Sequence, residues 1–70
     1  MKRQHVNSTS VRSIGYDEAT KTLEVKFIDG DVYQYFKVPE KIYLDLLTAS
    51  SIGAYLNKEI KGKFEYRKME

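Results

Sequence analysis

Two groups of residues in this chain are equipped for recognition chemistry. Tyr33 and Tyr35 stand two apart in a run of β-forming residues, and Lys58, Lys61, Lys63 and Arg67 gather towards the far end. Phenol rings stack on unpaired bases, and ammonium and guanidinium groups neutralise phosphates, so the combination suits single-stranded nucleic acid. Other reactive types are sparse. His5 is the sole histidine and cysteine is absent. That leaves too few ligands for a metal site and no histidine-paired nucleophile on a rigid element. Asp17, Glu18, Asp29 and Asp31 fall in turn-like stretches, where Asp and Gly occur for structural reasons. The surrounding residues lack the EF-hand calcium loop pattern. Gly62-Lys63 lacks the other residues of a phosphate loop. Ser50-Ser51, ahead of Lys58 and Lys61, could form a small anion site, but a helix cap explains the two hydroxyls more simply. The expectation is a non-enzymatic protein with no cofactor and no metal.

Charge is unevenly spread. The net charge is +2 over 70 residues. Residues 1–12 carry Lys2, Arg3 and Arg12 and no acid, giving +3, whereas residues 13–57 carry four bases and seven acids, giving −3. Residues 58–70 add five bases against Glu59, Glu65 and Glu70, giving +2. If the two basic ends meet on one face, they make a footprint for a polyanion such as RNA. A solvated mixed-charge surface is the plainer reading of the same numbers.

The chain has room for one domain, with a small core that buries about 60% of the unfolded surface. No run approaches the roughly 18 apolar residues of a membrane span, and Met1-Lys2-Arg3-Gln4-His5 lacks the apolar stretch of a signal peptide. A soluble, cytoplasmic, monomeric protein is expected.

Several elements must position the tyrosines and lysines. Residues 1–7 have no periodicity and read as a flexible tail, with one domain over 8–68. Val11 to Tyr16 allows a short strand with Ile14 and Tyr16 on one face, although Gly15 weakens it. Asp17–Lys21 is a polar connection of hairpin length. Thr22–Phe27 alternates polar and apolar residues, the period of a half-buried strand. After Asp29-Gly30, residues 31–38 are rich in β-formers. Pro39 ends that strand and suits the first turn of a helix. Ile42, Tyr43, Leu46 and Leu47 then fall at helical spacing, as do Ile52, Tyr55, Leu56 and Ile60 behind a Ser50 or Ser51 cap. Gly62 suits the left-handed end of the second helix. Phe64 and Tyr66 alternate with charged residues, as a short fourth strand or an extended tail would. The expected fold is α+β: an antiparallel three-stranded meander followed by two short helices packed on one face.

Two turn types put Tyr33 and Tyr35 on different faces. A two-residue Asp29-Gly30 turn pairs Phe27 with Val32, Val25 with Gln34 and Leu23 with Phe36. It leaves both tyrosines on the face opposite the core, beside Glu24, Lys26 and Lys37, as a stacking platform. A turn on Ile28-Asp29 with Gly30 as a bulge pairs Val25 with Tyr33 and Leu23 with Tyr35, which sends both rings to the core. A one-residue slip exchanges the faces. The first register gives the cleaner apolar face; the second supplies the broad aromatic surface that helices pack on.

The ordered set of residues also has a familiar look. Asn7-Ser8-Thr9-Ser10 is followed by Ile14-Gly15-Tyr16-Asp17, then Leu23-x-Val25-x-Phe27, Gly30 and Tyr33-x-Tyr35. Val38-Pro39, Tyr43, Ser51-x-Gly53-x-Tyr55-Leu56-Asn57-x-x-Ile60 and Phe64-x-Tyr66 complete it. This order resembles the KTSC domain, a module named for the C-terminal end of some lysyl-tRNA synthetases and found also as a stand-alone bacterial or phage protein. The resemblance spans residues 7–67. Leu56 stands where the family often has an aromatic, and Phe64 where Tyr is usual; both touch packing more than chemistry. The family's function is not established, and the resemblance implies RNA binding only through the synthetase association. On that reading Tyr33 and Tyr35 would stack bases. Lys58, Lys61, Lys63 and Arg67, chosen on charge, would meet phosphates of a single-stranded or tRNA-like ligand. The alternative is a protein-interaction adaptor that accepts a peptide or strand at the sheet edge.

Overall fold

The alternating run Thr22–Phe27 becomes the central strand of the fold. A computed structural model describes residues 2–69. Among these, the strands are β1 (Arg3–His5), β2 (Val11–Asp17), β3 (Thr22–Phe27), β4 (Val32–Tyr35) and β5 (Tyr66–Met69). Between β4 and β5 lie α1 (Glu40–Thr48) and α2 (Ile52–Tyr55), and α2 runs on into a π-helical turn over Leu56–Ile60. The five strands form one antiparallel sheet in the order β1-β2-β3-β4-β5. The α+β class and the two helices match the sequence reading. The strand count does not: three strands with a C-terminal fourth is an undercount, and the sheet has five.

The extra strand is β1, inside the segment read as a tail. Arg3 pairs with Gly15, Gln4 with Ile14 and His5 with Ser13. Gly15 explains both the strand and its poor legibility. A Cβ on Gly15 would lie 2.7 Å from the Lys2 carbonyl oxygen and 3.0 Å from the Arg3 Cγ. The sheet extends past β2 because that position has no side chain, the close-approach use of a strand glycine.

The β3–β4 hairpin settles the register. Leu23 faces Tyr35, Val25 faces Tyr33 and Lys26 faces Val32. The Gly30 amide donates to the Phe27 carbonyl at 3.0 Å, and the Phe27 amide to the Asp31 carbonyl at 2.8 Å. Gly30 takes φ 101°, the left-handed residue of a three-residue loop closed by a glycine bulge. The Asp31 amide donates to Asp29 Oδ1 at 3.0 Å, which pins the loop from within.

Alternation then sorts the sheet into two faces. The helices cover the face bearing Ile14, Leu23, Val25 and Tyr35, which join Val11, Val38, Leu46, Ile52, Leu56 and Ile60 in the core. The Tyr16 hydroxyl donates to the Val38 carbonyl, and its ring stacks on Tyr43 with centroids 4.8 Å apart. These two contacts tie β2 to the segment that enters α1. Ser51 accepts from the Ala54 amide at 3.3 Å, the cap expected for the second helix. The other face of the sheet carries Arg3, Gly15, Glu24, Gln34 and Arg67 in one cross-strand row. Glu24 sits at its centre and accepts from Arg3 Nη1 at 2.9 Å and from Gln34 Nε2 at 2.8 Å.

Candidate nucleic-acid interface

The register that sends Tyr35 to the core also decides what the tyrosines offer. Tyr35 is 3% exposed. Burial, reinforced by the neighbouring Tyr33 and Tyr66 phenols, pushes its hydroxyl up to about 12, so at neutral pH it is an uncharged packing group. An exposed Tyr33–Tyr35 platform is therefore not what forms. Tyr33 is only half-buried, and β5 lays Tyr66 directly opposite Tyr35. Tyr66 is 61% exposed. The three rings form a cluster, with Tyr66 centred 5.8 Å from Tyr33 and 6.0 Å from Tyr35. Phe27 meets Tyr33 edge to face at 5.6 Å. The aromatic surface facing solvent is thus Tyr33 with Tyr66, flanked by Phe27.

The π-helical turn delivers a cation to that surface. The Lys61 amide donates to the Leu56 carbonyl at 2.9 Å, five residues back, which widens the last turn. Gly62 then takes φ 81° and turns the chain towards β5. Lys61 emerges over the Phe27 ring, its ammonium 5.1 Å from the centroid. It lines a recess of about 180 Å³ with Tyr33, Tyr35 and Tyr66. It also lines an adjoining open groove of about 470 Å³ with Ser10, Phe27, Asp29, Asp31 and Tyr33. Lys68 pairs with Tyr33 across β4–β5, and its ammonium lies 3.5 Å from Asp31 Oδ2.

The predicted site residues part company here. Tyr33 and Lys61 meet at the recess, with Tyr35 as its floor. Lys58 is exposed on the π turn and lines neither hollow. Lys63 is directed to Glu59, at 3.8 Å. Arg67 pairs with Gln34 and therefore lies on the opposite face of the sheet. The residues that sequence reasoning overlooked are Tyr66, Phe27 and Lys68. Alternation counted from Tyr66 assigns Lys68, not Arg67, to the tyrosine face, and that signal was available.

A further hollow, near the start of α1, is more acidic. Lys2, Tyr16, Asp17, Glu18, Glu40 and Tyr43 surround it. A hydrogen bond with Glu18, and repulsion from it, raises the Glu40 carboxyl above the usual range. Among the described residues, no three His, Cys, Asp or Glu side chains converge as a metal site would require, and no helix is long and apolar enough to cross a membrane.

Comparison with known proteins places this arrangement. A lysine–tRNA ligase from Nostoc punctiforme is 42% identical over 59 residues, which are 84% of this chain and 10% of the ligase. The chain thus spans about a tenth of the length of the ligases it matches. An uncharacterized protein from Stutzerimonas stutzeri is 43% identical over 61 residues, covering 87% of this chain and 86% of that one. The crystal structure of a KTSC domain protein from Yersinia pestis superposes with a TM-score of 0.93 at 41% identity, over 99% of this chain and 97% of the other. Finally, the KTSC domain profile matches residues 7–64; with most of the chain so matched, and with relatives of its own size, the protein belongs to the KTSC domain family.

Proposed function

We propose that this KTSC domain is a non-enzymatic module that binds single-stranded RNA or an RNA loop through the Tyr33–Tyr66 surface and Lys61. One observation carries the reading. An exposed ring and a half-buried ring stand 5.8 Å apart beside an ammonium group that lines the hollow next to them. Aromatic faces accept unpaired bases whatever their sequence, and a cation beside them holds the adjoining phosphate. The occurrence of the same module within proteins named lysine–tRNA ligase supports an RNA ligand, and the acids Asp17, Glu18 and Glu40 around the other hollow would turn the polyanion away from that side. The same reading keeps the protein in the cytoplasm and monomeric.

An amide-resolved NMR titration tests it. Short single-stranded RNA and a tRNA-like hairpin are added at low and moderate salt. Salt-sensitive shifts at Tyr33, Lys61, Tyr66 and Lys68 are expected, because phosphate contacts release counterions. An unchanged spectrum at millimolar RNA overturns the proposal.

A second reading has its own observation. β5 is an edge of the sheet, and all four of its residues are exposed. Such an edge accepts a partner strand. RNA-independent binding of an extended peptide, abolished by Lys68→Pro, which removes an amide facing the open edge rather than β4, would favour that adaptor role.

A further inference from the structure

The groove beside the tyrosines is not built as a simple phosphate cradle, because Asp29 and Asp31 are among the residues that line it. Carboxylates repel a phosphate backbone, so the part of an RNA that enters here is a base, with the backbone held outside by Lys61 and Lys68. We propose that Asp29 and Asp31 make the groove select a base with adjacent hydrogen-bond donors on its pairing edge, guanine first, and discriminate against uracil. This inference rests on the RNA reading above.

The geometry leaves the carboxylates able to act. Asp29 is held by the amide of Asp31, which donates to its Oδ1 at 3.0 Å, so its other oxygen is positioned by the turn to accept. Asp31 Oδ2 lies 3.5 Å from the Lys68 ammonium, and its side chain is 44% exposed. An ionised carboxylate only accepts hydrogen bonds. Guanine offers a ring N–H and an amino group side by side, which match two carboxylate oxygens. Cytosine and adenine each offer an amino group. Uracil offers one N–H between two carbonyl oxygens, which a carboxylate repels. Tyr33 forms a wall of both the groove and the smaller recess, so a base stacked on its ring brings its edge within the reach of the loop that carries the acids.

The test uses the intact protein and four five-nucleotide RNAs, uridine throughout except for a central G, C, A or U. Affinity is read by fluorescence anisotropy at one fixed salt concentration. The central-G RNA is expected to bind at least about fivefold more tightly than the all-U RNA, the low end for one good two-bond base contact, with C and A between them. Asp31→Asn is expected to raise affinity for the all-U RNA, since it removes a negative charge near the phosphates, and to collapse the preference for G. Equal binding of all four RNAs by the wild-type protein overturns the selectivity but leaves the RNA reading standing. Binding of none overturns both. An Asp31→Asn protein that loses affinity equally for all four reports a merely structural aspartate and overturns the role given to it. If that variant fails to fold, the wild-type ranking of the four RNAs still decides.

Discussion

The ammonium of Lys61 stands 5.1 Å from the centre of the Phe27 ring, and this contact joins the end of the helical segment to the end of β3. It depends on the π turn that precedes Lys61. A regular α-helix would direct the ammonium elsewhere.

Lys61→Gln is expected to weaken RNA binding and to lower the slope of log affinity against log salt by about 1, the effect of one lost phosphate contact. Arg67→Gln removes the same charge from the other face of the sheet and should leave both quantities near wild type. Anisotropy titrations at several salt concentrations compare the two. Neither variant should alter stability much, since an exposed cation–π contact contributes about 0.5–1 kcal/mol. Equal losses for Lys61→Gln and Arg67→Gln would mean that net charge, not position, governs binding.

Tyr16→Phe keeps the ring that stacks on Tyr43 but removes the donor to the Val38 carbonyl. An acceptor left without its partner costs about 1–3 kcal/mol. For a domain of this size that corresponds to a fall in Tm of about 4–8 °C per kcal/mol. Urea and thermal denaturation measure it, and RNA affinity should be unchanged because neither Tyr16 nor Val38 lines the recess or the groove.

Gly15→Ala and Gly53→Ala should differ sharply. The added methyl at position 15 meets backbone, the Lys2 carbonyl at 2.7 Å, so β1 must move away. At position 53 it meets the Ser10 hydroxyl at 2.6 Å, a side-chain atom that can rotate, and alanine also favours the helix. Hydrogen exchange should show loss of β1 protection in Gly15→Ala alone, with Gly53→Ala close to wild type in stability.

High pH should expose the buried phenol. Tyr35 ionises at about 12 in the folded chain against an ordinary 10.0. Below pH 10 both folded and unfolded forms hold the proton and the stabilisation is complete. As pH rises above 10 the unfolded chain releases it first, so folding stability falls until the folded phenol also ionises near 12. Denaturation at stepped pH with absorbance at the phenolate band should show this decline, reduced in Tyr35→Phe. Tyr16 and Tyr55 are also raised by burial, so some decline should persist.

Much of the fold was legible because its apolar residues keep strict periods. Leu23, Val25 and Phe27 announce a strand, and Leu46, Leu56 and Ile60 announce helices, since each must bury one side. β1 was hidden because Arg3, Gln4 and His5 form an edge strand of polar residues, whose pairing depends on a missing side chain in β2 rather than on its own pattern. The hairpin register stayed open because Asp29-Gly30 serves two turn types, and Gly30 takes a positive φ in both. Of the site, Tyr33 and Lys61 could be read from residue type. Phe27 could not, because its contact with Lys61 exists only through the π turn. Arg67 was chosen on charge, and the parity of β5 places Lys68 there instead.

The order in which the strands are joined has a kinetic corollary. β1 through β4 are each paired with their sequence neighbour, so the meander closes through short loops, the fast kind of contact. β5 pairs with β4 across the whole helical excursion, a contact of longer sequence range, and every residue of the strand is exposed. Little apolar burial retains it, so β5 opens at a low free energy. It carries Tyr66 and Lys68. The Tyr33–Tyr66 surface can therefore dissolve and reform while the core stays shut.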